Sequence, residues 1–128
     1  MDSFILGPGL ALGIPVLDQS NRIVFELLER MQDLPRPEFD QACKRLASEL
    51  AEDLAEENQL MRAINYAAAE AHEEAHVGLL DAVEHAQSLL VRGDLVNSRA
   101  IIRSLSNWIE AHINTMDLAL AIAITRSK

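Results

Sequence analysis

The stretch EFDQACKRLASELAEDLAEENQLMRAINYAAAEAHEEAHVGLLDAVEHAQSLLV, residues 38–91, decides the fold. It contains no proline, and no glycine before Gly78. Ala, Leu and Glu dominate it, and a helical pattern runs throughout. As one helix it would be about 80 Å long at 1.5 Å per residue. A compact domain of this size has a radius of gyration of about 14 Å, so the rod must fold back on itself. Its weakest point is Ile64-Asn65-Tyr66, because Asn ends helices in the left-handed conformation. One helix is expected up to that point and another from about Ala68 to Val91, which Gly93-Asp94 ends.

Upstream, Pro35 and Pro37 stop one helix and start the next, since proline suits a first turn and not an interior. The first helix is expected from an N-cap at Asp18 or Ser20 to about Asp33, with Ile23, Leu27, Leu28 and Met31 as its apolar face. The fourth should run from about Leu95 to Ile124. Four helices on short loops make an all-α, antiparallel up-down-up-down four-helix bundle. At 128 residues the chain is read as a single domain. Residues 1–17 form an irregular N-terminal arm and 18–128 the bundle. The opening MDSFILGPGLALGIPVL is apolar, but it lacks Lys and Arg, carries Asp2 and is broken by Gly and Pro. It reads as an arm and not as a signal peptide.

A formal net charge of −9 repels phosphates and anionic lipid surfaces, so neither nucleic acid nor membrane is expected as a partner. The C-terminal run LALAIAI, residues 118–124, is too short to span a bilayer. It should pack in the bundle, or against a second copy as a homodimer. The single cysteine, Cys43, has no partner for an internal disulfide, which points to a reducing, cytoplasmic compartment.

Chemistry concentrates on three helices. His72 and His76 are an i, i+4 pair and share one face of the third. Asp53 and Glu57 have the same spacing on the second, within an acidic run that by default faces water. His112 and Asp117 lie five apart on the fourth, about 140° around an ideal helix. They share a centre only through a local bend, or by reaching around it from either side. His85 points away from the pair and reads as a surface residue. Helix bundles do build metal sites from inward-facing carboxylates and histidines, and imidazole with carboxylate suits borderline ions such as iron. Trp108 reads as core or bundle-end packing, Tyr66 as a partly exposed loop residue. Met31, Met61 and Met116 read as apolar filler, and Cys43 as unreactive. There is no Ser/His/Asp arrangement and no Gly-rich phosphate loop, and Glu73-x-x-His76 lacks the second copy a ferritin-type centre wants.

The order and flanks of these residues sharpen the picture. The segment Leu12-Gly13-Ile14-Pro15 followed by Val16-Leu17-Asp18-Gln19-Ser20-Asn21-Arg22 resembles the opening of bacterial hemerythrin domains. The likeness continues through Glu57 and Met61, the HxxxH of His72 and His76, and Trp108-Ile109-Glu110-Ala111-His112 followed by Asp117. It covers nearly the whole chain. The resemblance implies two irons held by five histidines and two bridging carboxylates, with reversible dioxygen binding as the usual activity. By that likeness His72, His76 and His112 are the terminal ligands of one metal, and Glu57 and Asp117 are the bridges.

The chain departs from that pattern at two ligands of the other metal. Asn21 stands where the first-helix histidine is expected and Asp53 where the second-helix histidine is expected; Leu54 replaces the usual Phe. Asp53 offers a hard oxygen, and Asn21 only a carbonyl, a poor donor to a transition metal. Added negative charge favours ferric or manganese ions over a ferrous pair, so a poor oxygen carrier is expected. Three outcomes stay open: a mononuclear site, an asymmetric two-metal site, or a bundle holding little metal. The functional expectation is a non-haem iron site (one or two ions per chain, Mn or Zn also suiting the donors). It would bind dioxygen, peroxide or nitric oxide for storage or sensing. The alternatives are a metal-dependent oxidase or peroxidase-type enzyme and a metal-poor helical interaction protein.

Overall fold

A computed structural model describes residues 11–127. Among them there is no strand. The helices are α1 (Pro15–Met31), α2 (Arg36–Ala63), α3 (Ala69–Val91), α4 (Leu95–His112) and α5 (Leu118–Arg126). A π-helical turn, Ile113–Asp117, joins the last two into one rod. Helix α1 packs on α2 and α4, and α3 on α2 and α4. The four rods therefore close into the expected up-down-up-down bundle.

Helix α1 begins three residues before Asp18, not at it. Pro15 takes the first helical position, where a missing N–H costs nothing. Asp18, expected as the N-cap, sits inside the first turn. Its carboxylate accepts hydrogen bonds from the backbone N–H groups of Leu12 (2.8 Å) and Gly13 (3.1 Å), which ties the preceding segment to the helix. Residues 1–10 of the arm lie outside the described residues.

The break between α2 and α3 falls at Ile64-Asn65-Tyr66. Asn65 is left-handed, at φ 52°. Its N–H donates to the Arg62 carbonyl (3.1 Å), and the Tyr66 N–H to the Met61 carbonyl (2.9 Å). This pair of bonds satisfies carbonyls that the helix end would otherwise orphan. Gly93, at φ 82°, does the same for α3 through bonds from Gly93 to Leu90 and from Asp94 to Leu89. The Asp94 side chain then caps α4 at the Asn97 N–H (3.1 Å).

Two apolar clusters fill the interior. The longer contains Phe25, Leu28, Met31, Phe39, Leu46 and Ile102. Cys43 is wholly buried within it. The shorter, at the other end, is built on Leu17, Met61, Leu120 and Ile124. On α2 the core residues step from Leu54 to Glu57 to Met61. On the last rod they step from Ile109 through His112 and Asp117 to Leu120. A buried polar layer thus interrupts the apolar stack. Leu118 and Ile122 remain exposed on α5, and no described helix is long and apolar enough to cross a membrane.

The left-handed backbone at Asn65 makes a direct test. Asn65→Val should destabilise by about 1–2 kcal/mol, because a branched Cβ opposes this conformation, whereas Asn65→Gly should leave the urea midpoint close to that of the parent.

Candidate metal centre

Five buried side chains converge in the polar layer: Glu57 from α2, His72 and His76 from α3, His112 from α4 and Asp117 from the π turn. One ligand-type atom from each lies within 4.8 Å of all the others. His72 Nε2 is 2.8 Å from Glu57 Oε1 and 3.0 Å from Asp117 Oδ1. His76 Nε2 is 3.1 Å from the same Glu57 oxygen, and His112 Nε2 is 3.1 Å from Asp117 Oδ1.

The local structure explains each placement. The i, i+4 spacing of His72 and His76 on α3 brings their rings together edge-to-face, with centroids 4.6 Å apart and planes 69° from parallel. The five-residue step from His112 to Asp117 is resolved by the π turn. Its i→i+5 bonding brings residues five apart onto one face, and the Leu118 N–H reaches back to the Ile113 carbonyl. Thr115 contributes, since its hydroxyl donates to the Ala111 carbonyl (2.7 Å). Such back-bonding loosens and bends a helix.

The electrostatics are those of a cluster short of a cation. Burial works against a charged His72, but hydrogen bonds to Asp117 and Glu57 outweigh it and raise its pKa to about 9. Burial likewise works against the Asp117 carboxylate, yet His112 and His72 hold its pKa well below the usual range. His72 Nδ1 is buried without a hydrogen bond.

This donor set fits a metal ion. Three imidazole nitrogens and two carboxylate oxygens suit iron, manganese or zinc. Neighbouring donors about 2.1 Å from one octahedral ion stand about 3.0 Å apart, and the four close N–O separations are 2.8–3.1 Å.

Asp53 and Asn21 are not among the five. They line a neighbouring cavity of about 30 Å³ that Glu57, His112 and Asp117 bound on the other side. Burial, then the negative charge of Glu49, raises the pKa of Asp53 to about 7. Its Oδ2 is buried without a partner, and so is Asn21 Nδ2.

Two neighbours escaped sequence reasoning. Asn58 Oδ1 lies 3.0 Å from His76 Nδ1 and orients that ring from behind; its only signal is adjacency to Glu57. Trp108, expected to pack in the core or at a bundle end, is 39% exposed and stacks on the His112 ring, 5.1 Å between centroids and 10° from parallel. Tyr66 is the half-buried loop residue expected, and it meets His72 edge-on at 6.5 Å. Met61 is wholly buried, His85 is exposed, and burial pushes the Cys43 thiol up to about 11.

A bundle crossed by a buried histidine–carboxylate layer defines a helical protein with a candidate cation site. The chain belongs to the hemerythrin HHE cation-binding domain family, whose sequence model matches residues 12–121. A search of curated proteins found no match, and a search of solved structures found none either.

Asn58→Leu should lower affinity for ferrous or zinc ion about 10–100-fold by releasing His76, the usual effect of losing a partner behind a ligand. Saturation stoichiometry should be unchanged when both are read by competition with a chelator.

Proposed function

We propose that this chain is a non-haem iron protein with one complete metal site, formed by His72, His76, His112, Glu57 and Asp117. It binds a small ligand (dioxygen, peroxide or nitric oxide) for storage or sensing. The observation that carries this reading is the convergence of five buried donors within 4.8 Å. Five donors leave one position of an octahedral ion for an exchangeable ligand. When bound, iron supplies a Lewis-acidic, redox-active centre.

The protein's own residues do the rest. His72 and His76 deliver neutral nitrogens from a stiff α3, and Asn58 holds the tautomer of His76. Glu57 and Asp117 offset the ion's charge in a layer flanked by apolar clusters on either side. Metal uptake displaces the proton that His72 holds in its absence.

A mononuclear site is favoured over a two-metal one because Asp53 lies outside the converging group, across a cavity with an apolar half. The chain is accordingly a poor reversible oxygen carrier. The whole chain acts as one domain, in a reducing cytoplasm where Cys43 stays a thiol. The enzymatic alternative, oxidase or peroxidase-type turnover, is favoured by the same cavity, which gives a small substrate room beside the metal.

Metal analysis after anaerobic loading should give close to one iron per chain, with little oxygen-dependent change in the optical spectrum. The double variant Asn21→His, Asp53→His should approach two irons and gain an oxygen-dependent absorption band. Two irons in the parent would contradict the mononuclear assignment, and none would contradict the iron assignment.

A further inference from the structure

The cavity beside the five-residue cluster has two unlike walls. Val24, Leu50, Leu54 and Leu79 supply apolar lining, and Asn21 and Asp53 supply polar lining. Buried polar groups that lack partners are rare and costly. Here Asn21 Nδ2, a donor, and Asp53 Oδ2 are both in that state on residues lining one small space. Ser20 and three members of the five-residue cluster, Glu57, His112 and Asp117, complete the polar lining.

Three guests can be weighed. A second hard cation wants six or more oxygens around it, and half of this wall is hydrocarbon. An apolar diatomic suits the hydrocarbon but leaves the Asn21 and Asp53 groups unpaired. A small neutral molecule that both donates and accepts hydrogen bonds satisfies both polar residues and fits the apolar remainder. The volume, about 30 Å³, exceeds the roughly 10–15 Å³ that one water needs, so a guest of two heavy atoms is accommodated.

We infer that this cavity is a binding pocket for a small protic molecule of the hydrogen peroxide class, selected over apolar diatomics by hydrogen bonds to Asn21 and Asp53. The inference deepens the metal reading above, on which it rests for the identity of the neighbouring site. Discrimination follows from chemistry: a site built to hydrogen-bond a hydroxyl rejects the analogue without one, because its buried polar groups are left unpaired. Peroxide pairs with Asp53 whether the side chain is carboxylate or carboxylic acid, since it donates and accepts alike.

The test uses the full-length, zinc-loaded, ¹⁵N-labelled protein, zinc being redox-inert, with the Asn21 side-chain amide signal as readout. Hydrogen peroxide should shift that signal saturably, and carbon monoxide should not. Asp53→Leu should weaken peroxide binding about tenfold or more. Asp53→Asn, which keeps hydrogen-bonding capacity and much of the shape, should stay within a few-fold of the parent. Zinc content should be unchanged in both variants. The metal-free protein is titrated in parallel, so a chain that takes up no zinc defeats the metal reading and still tests the pocket. A saturable peroxide shift in that form supports the pocket. No saturable shift in either form overturns the inference, as does an equal response to carbon monoxide. Loss of zinc in Asp53→Leu overturns it in favour of Asp53 as a metal ligand.

Discussion

Five ionisable side chains buried in one layer of an otherwise apolar bundle are the constraint around which the rest of the molecule is arranged. Glu57, His72, His76, His112 and Asp117 are each less than one-tenth exposed, and buried charge is tolerated only when paired or bound to an ion. Apolar clusters lie on both sides of the layer, so most of its surroundings offer these groups no hydrogen bonds. The cluster's own proton on His72, held by Glu57 and Asp117, is a partial remedy. A divalent cation is the fuller one, because it meets all five donors at once. Where low dielectric makes unpaired groups expensive, it also strengthens the pairing that a metal provides.

The π turn is the backbone's answer to that constraint. In an α-helix His112 and Asp117 diverge by about 140°, and only one of them can face the layer. Widening a single turn lets both face it, so that His112 Nε2 and Asp117 Oδ1 stand 3.1 Å apart. Such turns are rare inside α-helices and gather at functional sites. Here the cause is local and visible, in Thr115 bonding back to Ala111 and in the shared demand of two buried ligand-type residues.

Much of this was legible in the sequence. Asn65 and Gly93 mark helix ends because left-handed backbone is a local property of those residues, and the i, i+4 spacing of His72 and His76 is a property of any helix. What escaped was tertiary. Asp18 looked like an N-cap but binds backward to Leu12 and Gly13, while Pro15 starts the helix. Nothing in Ile113-Asn114-Thr115-Met116-Asp117 announces a π turn, although the five-residue spacing shows that some distortion is needed. Asn58 and Trp108 meet His76 and His112 only through the fold.

The same layer is lopsided. Toward α3 and α4 it is complete, whereas toward α1 it ends at Asn21 and Asp53, which face a cavity and not the converging donors. We propose that three imidazoles and two carboxylates surround a single ion. X-ray absorption at the iron edge of the loaded protein tests this most directly. Scattering from three imidazole rings is expected, with no second metal within about 4 Å, the separation usual in two-metal sites. A metal–metal scattering path at that distance, or fewer than three imidazoles, would contradict it.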